Sequence, residues 1–241
     1  MAAARRDGHR PRRRLTRLTF QEYAAAWAAL HGGFDPTRAS SPVRGWVRLA
    51  YRGGSLLARL GAGPTAVTVA GLVLCLAVPF VAALGPIGLI AAAVVVLLAA
   101  LADTFDGAVA VITDRASRGG FVVDSMADRV GEVAWLAAFW VAGAPGLLVV
   151  AAGGASWLHE YLRARAAVAG MADIGVVTVA ERPTRVLVAI SGLLLGGLAG
   201  LVRDGWDTAV VTIGAAAWLA LAVIGLGQLV AAVRRALASG D

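Results

Sequence analysis

The chain has 241 residues, 59% of them hydrophobic, and a mean hydropathy of +0.76. Soluble domains sit near about 45–50% apolar, so the composition excludes an ordinary soluble globule. The net charge is +7 and all 22 basic residues are Arg. Twelve of these precede residue 60, ahead of the first long apolar run, which points to anionic lipid headgroups and against nucleic acid.

Residues 1–40 read as an Arg-rich cytoplasmic tail, partly disordered, with a short helix over 19–31. The breakers Gly32-Gly33 and Asp35-Pro36 close it. The run Arg12-Arg13-Arg14 precedes a stretch, Phe20 to Leu30, that is short and carries Glu22, so it makes a poor export signal. Residues 41–62 set Val43, Trp46, Val47, Leu49, Leu56, Leu57 and Leu60 against Arg44, Arg48, Arg52 and Arg59. That pattern predicts an amphipathic helix in the membrane interface, with Trp46 and Tyr51 at headgroup level.

Six apolar runs follow, at roughly Ala66–Leu84, Ile87–Ala102, Gly119–Ala142, Gly146–Leu162, Val186–Leu201 and Ala209–Val233. About 20 apolar residues cross a bilayer as a helix. The expectation is an all-α integral membrane protein, six transmembrane helices over residues 63–236 preceded by the interfacial helix. Of the loops expected outside, only one carries Arg, at Arg203; both termini and the connections Ile112–Arg118 and Arg163–Arg185 are then cytoplasmic. The lone cysteine, Cys75, lies in an apolar run, permits no internal disulfide and reads as a small buried hydrophobe. An all-Arg chain rich in Ala, Gly and Val suggests a GC-rich bacterial genome, hence a bacterial cytoplasmic membrane.

Charges inside membrane helices cost at least about 2.5–3.5 kcal/mol each and need a reason. Asp103 and Asp106 stand i, i+3 at the end of the second run, and Asp124 and Asp128 stand i, i+4 in the third. A short turn joins the two helices, so the four carboxylates can converge. Unneutralised, they would repel one another. Divalent ions with a taste for oxygen ligands, Mg²⁺ or Mn²⁺, remove that conflict and commonly ride on substrate phosphates. Gly107, Ala110 and Gly120 beside the acids either leave the backbone open to a bulky ligand or serve close helix packing. Glu132 extends the acidic stripe by a turn. Arg129, deep in the third run, either pairs with an acid or binds an anionic acceptor. Arg163, Arg165, Arg182 and Arg185 either anchor the cytoplasmic face or bind that acceptor; His159 and Glu160 read as interfacial polar residues.

The segment from Asp103 to Asp128 resembles the signature of the CDP-alcohol phosphotransferase (CDP-alcohol phosphatidyltransferase) family, D-x-x-D-G-x-x-A-R-x8-G-x3-D-x3-D. Both Asp pairs, Gly107, Ala110, Gly120 and every spacing match; the departure is Val111, where the family has Arg. Gly63-Pro64-Thr65-Ala66-Val67-Thr68 is similar to the family's entry to the first span. Tyr161-Leu162-Arg163-Ala164-Arg165 and Glu181-Arg182-Pro183-Thr184-Arg185 look like the branch that makes phosphatidylinositol phosphate.

The resemblance implies a six-helix homodimer in which an alcohol attacks the lipid-side phosphorus of a CDP-linked donor and CMP leaves. It implies that Asp103, Asp106, Asp124 and Asp128 bind metal, two Mg²⁺ or Mn²⁺ ions, with Asp128 also the general base. CDP binding falls to Gly107, Ala110 and Gly120, with Arg115 or Arg118 in reach to supply the missing guanidinium. Acceptor binding falls to Arg129, Arg163, Arg165, Arg182 and Arg185. The expected reaction moves a phosphatidyl group from CDP-diacylglycerol to an alcohol, inositol phosphate or glycerol phosphate. Rival readings are phosphatidylglycerol as acceptor, a cation transporter and an inactive family member.

Overall fold

The computed structural model describes residues 18–30, 35–171 and 177–240. Residues 1–17 of the expected tail, the Gly32-Gly33 breaker and residues 172–176 of the Arg163–Arg185 connection lie outside these. Among the described residues there are eight helices and no strand: α1 Phe20–Leu30, α2 Ser41–Arg59, α3 Pro64–Ala82, α4 Pro86–Ile112, α5 Arg118–Val141, α6 Gly146–Val168, α7 Arg182–Val202 and α8 Trp206–Gly240. They fall into two compact units, one within Met1–Pro64 and Phe105–Ala116, the other within Thr65–Thr104 and Ser117–Asp241. The division passes through α4, which is itself unbroken.

In the first unit, α1 starts on a reciprocal cap. Thr19 Oγ1 accepts from the Glu22 amide at 3.3 Å, and Glu22 reaches back to the Thr19 amide at 2.7 Å. One side of α2, Val47, Ala50 and Gly54, is buried. Val47 and Ala50 form an apolar cluster with Tyr23 of α1 and Ala108 of α4, flanked by Phe20, Trp27, Tyr51, Val111 and Ile112. The Tyr51 hydroxyl donates to the Leu18 carbonyl at 2.7 Å, which ties the chain ahead of α1 to α2. Trp46, Leu49 and Leu56 remain exposed on α2 together with all four of its arginines, as does Leu60 just past its end. Apolar and cationic residues exposed on one helix suit a surface that is part hydrocarbon and part headgroup.

The second unit holds α3, most of α4, and α5 to α8. Its core runs through Val78, Val96, Trp135, Phe139, Leu193 and Trp218, and α8 packs along both α6 and α7. Glycine sets the spacing. A Cβ on Gly192 would stand 2.7 Å from the Phe139 ring, and one on Gly214 would stand 3.4 Å from the Gly192 Cα. Lipid gives helices no hydrophobic reason to associate, so close approach through small residues supplies the packing. The Trp218 indole N–H donates to Ser156 Oγ at 2.9 Å, and that hydroxyl donates to the Ala152 carbonyl.

Four helices, α3, α4, α7 and α8, are long and apolar enough to cross a membrane, so the protein is a multi-pass membrane protein. Helices α5 and α6, with 24 and 23 residues, have spanning length but carry the charges of the site. Three helices run at least six residues past the apolar stretches that announced them, α8 from Val233 to Gly240 among them. α4 continues from Ala102 to Ile112, and α6 from Leu162 to Val168. Apolar counting stops at the first charge, whereas a helix stops only where the backbone does. For α4 that is Asp114, whose φ of 55° is left-handed, with the Arg115 amide bonded to the Ala110 carbonyl at 2.9 Å.

Candidate active site

The acids sit on α4 and α5. On α4, Asp103 and Asp106 are one turn apart, and that turn brings a carboxylate oxygen of each within 4.8 Å. Asp124 on α5 brings an oxygen equally close to Asp103. α5 starts on Ser117, whose hydroxyl accepts from the Gly120 amide at 3.0 Å, and its register then turns Asp124, Asp128 and Glu132 to one side at i, i+4 and i+8. The donor set fits a hard divalent ion: oxygen throughout and closely spaced. Asp124 Oδ1 is buried and takes no hydrogen bond from the described residues, as expected of an oxygen kept for an ion.

Arginine approaches the acids from α7. Arg182, the first residue of that helix, pairs with Asp103 and lies 2.7 Å from Asp128. One turn on, Arg185 is 3% exposed and donates to both oxygens of Glu132 at 2.8 and 2.7 Å, to Glu160, and through Nε to the Ala180 carbonyl at 2.8 Å. Arg129 lies 3.2 Å from Glu132, 3.3 Å from Glu160 and 3.7 Å from Asp128. Of its two sequence readings, pairing with acids is therefore the one that the structure realises. Arg163 pairs with Glu181 at 2.5 Å, and Arg165 is exposed.

His159 and Glu160 are not interfacial polar residues. His159 is fully buried, its Nε2 2.9 Å from Thr178 Oγ1, and Glu160 holds Arg129 and Arg185. A charge inside a membrane helix is stable only when paired, and α7 supplies the partner. Thr178 carried no signal in the sequence. Its amide and hydroxyl both donate to Glu181, closing the turn that leads into α7.

The residues assigned to CDP are spread over three places. Gly107 is exposed on α4, and a Cβ there would meet nothing within 4 Å; Ala110 is half-buried one turn later. Gly120 lies in the first turn of α5, and Arg115 and Arg118 are exposed around the α4–α5 turn. At the position where the signature has Arg, Val111 packs against the apolar cluster of α1 and α2.

Residues 62–233 match the sequence profile of the CDP-alcohol phosphatidyltransferase family. The chain is 35% identical over 163 residues to the phosphatidylinositol phosphate synthase of Mycolicibacterium smegmatis, spanning 64% of this chain and 71% of that one. It is 33% identical over 119 residues to the archaetidylinositol phosphate synthase of Aeropyrum pernix, 49% of this chain and 60% of the relative. The structure is similar to the Mycobacterium tuberculosis phosphatidylinositol phosphate synthase in complex with manganese and citrate, with a TM-score of 0.62 and 25% identity over 76% of this chain and 88% of that one. The same enzyme with CDP-DAG bound shares the fold, with a TM-score of 0.61 at 24% identity over 77% and 94% of the two chains. The profile match spans well over half of the chain and includes the whole acid signature, so this is a metal-dependent membrane enzyme that belongs to the CDP-alcohol phosphatidyltransferase family.

Proposed function

We propose that the protein transfers the phosphatidyl group of CDP-diacylglycerol to an inositol phosphate and releases CMP, at the cytoplasmic face of a bacterial membrane. The observation that carries this reading is Arg182, a guanidinium 22% exposed beside Asp103 and Asp128. A cation next to the acids is what an acceptor bearing its own phosphate requires, and an uncharged alcohol would not. Two relatives, named phosphatidylinositol phosphate synthase and archaetidylinositol phosphate synthase, support the same acceptor.

Asp103, Asp106, Asp124 and Asp128 would hold the divalent metal, two ions in this reading, which would supply positive charge for the diphosphate of the donor. Asp128 takes the proton of the acceptor hydroxyl as its oxygen attacks the lipid-side phosphorus. The bond from that phosphorus to the CMP oxygen breaks, and CMP leaves with the electron pair. Arg182 binds the acceptor phosphate, with Arg163 and exposed Arg165 at the mouth. Gly107, Ala110 and Gly120 leave room for the nucleotide, and Arg115 provides the guanidinium that Val111 does not. In this reading α3 to α8 all cross the membrane, α2 lies in its interface, and two copies assemble as a homodimer.

Purified protein given CDP-diacylglycerol with inositol phosphate, glycerol phosphate or phosphatidylglycerol tests the acceptor by product mass. Phosphatidylinositol phosphate with equimolar CMP is expected. A cardiolipin product would replace the acceptor, and donor binding without turnover with any of the three would mark an inactive member.

A further inference from the structure

We propose that Glu132, Glu160 and Arg185 form a buried clamp whose task is to hold Arg182 on Asp103 and Asp128, which makes them positioning residues of the transfer reaction. The contacts form a ladder between α5 and α7. Asp128 and Glu132 are i, i+4 on α5; Arg182 and Arg185 are i, i+3 on α7. Arg182 meets Asp128, and Arg185 meets Glu132, so the two helices rise in the same direction and their rungs climb together, by about 6 Å and about 4.5 Å.

The rungs differ in kind. The lower one is part-exposed and lies among the acids. The upper one is sealed, Glu132 at 1% and Arg185 at 3% exposure. Arg185 spends its guanidinium inside the protein: Nη1 on both oxygens of Glu132, Nη2 on Glu160, Nε on the Ala180 carbonyl. Little is left to offer a ligand, so the sequence-based assignment of Arg185 to the acceptor gives way to a positioning role. With Arg129 against Glu132 and Glu160, the group counts two cations and two anions and is neutral. Parting the charges of a neutral ion network in a low-dielectric interior is costly, so the network favours one register of α7. A slip of one residue would turn Arg182 about 100° away from the acids. The bond to Ala180 adds the entering turn to the clamp, and the run Arg163–Glu181–Thr178–His159 closes that turn from α6.

The proposal takes Asp103 and Asp128 as metal ligands, and a double-mutant cycle on Mn²⁺ affinity tests it without any acceptor. Arg182→Gln removes a cation from two ligand carboxylates and should tighten Mn²⁺ binding by about tenfold or more. Arg185→Gln should shift the affinity in the same direction, because Arg182 is no longer held there. In the Arg182→Gln background, Arg185→Gln should change it by less than about twofold, since its effect passes through Arg182. Should Arg185→Gln fold poorly, the pair Glu132→Gln with Arg185→Met leaves Arg129 and Glu160 charge-balanced and should reproduce the shift. Equal effects of Arg185→Gln in both backgrounds, or no effect in either, would overturn the clamp. A wild-type protein that takes up no Mn²⁺ would overturn the metal reading and the clamp together.

Discussion

Arg182 opens α7 and bridges Asp103 on α4 to Asp128 on α5, two carboxylates that stand 25 positions apart in the sequence. One guanidinium thus joins three helices at the acids. In the proposed metal site Arg182 would share those oxygens with the ion, which would make the strength of metal binding and the freedom of this arginine one balance.

Asp103, Asp124 and Asp128 are expected to be individually indispensable. Changing any of them to Asn keeps the shape but removes the charge that holds a divalent ion. CMP release should fall by at least about a hundredfold, with helix content and membrane insertion unchanged. Near-normal turnover in two such variants would end the metal-site reading. Asp106→Asn belongs in the same series, one turn from Asp103 on the same helix.

Chelation should act like these substitutions, but reversibly. Stripping divalent ions with EDTA is expected to stop CMP release, and added Mg²⁺ or Mn²⁺ to restore it. Circular dichroism should be unmoved throughout, because the helices rest on apolar packing and the Arg–Glu network and not on an ion. Unfolding on chelation would mean that the metal is structural.

Arg182→Ala separates acceptor binding from anchoring. Loss of a charge-assisted contact is worth about 1.5–3 kcal/mol, so the acceptor KM should rise by roughly ten- to a hundredfold. Initial rates against inositol phosphate at saturating CDP-diacylglycerol measure it. Arg165→Ala, exposed on α6, should raise the KM less. An unchanged KM in both would favour an uncharged acceptor.

Val111→Arg is expected to destabilise the protein rather than improve it. Val111 packs on the cluster built from Tyr23, Val47, Ala50 and Ala108, where a guanidinium has no apolar role. A loss of about 1–3 kcal/mol is expected, read as a lower Tm in detergent. A lower KM for CDP-diacylglycerol with no change in Tm would show that the position still serves the donor.

Removing residues 1–17 should leave both activity and Tm in place. Extending the cut to residue 40 also removes Tyr23, and with it part of the apolar seat on α2. The longer truncation should then melt lower while CMP release persists. Equal Tm values would show that α1 contributes nothing to the unit.

Much of this protein is written locally. The apolar runs announced the helices α3 to α8, of which α3, α4, α7 and α8 are long and apolar enough to cross a membrane, and the acid signature stood out because Asp in such runs is costly. Spacing alone put Asp124, Asp128 and Glu132 on one side of α5. Local rules failed where the partner lies far along the chain. Glu132 looked like one more acid of the stripe, and Arg185 like one more cytoplasmic cation, until tertiary packing set them against each other 53 positions apart. His159 and Glu160 looked interfacial for the same reason, since their partners Thr178 and Arg185 lie far along the chain. Val111 read as a lost ligand, and only the fold shows it against α1 and α2. Periodicity reports which face a residue takes, and the energy of a buried charge depends on what another helix brings to that face.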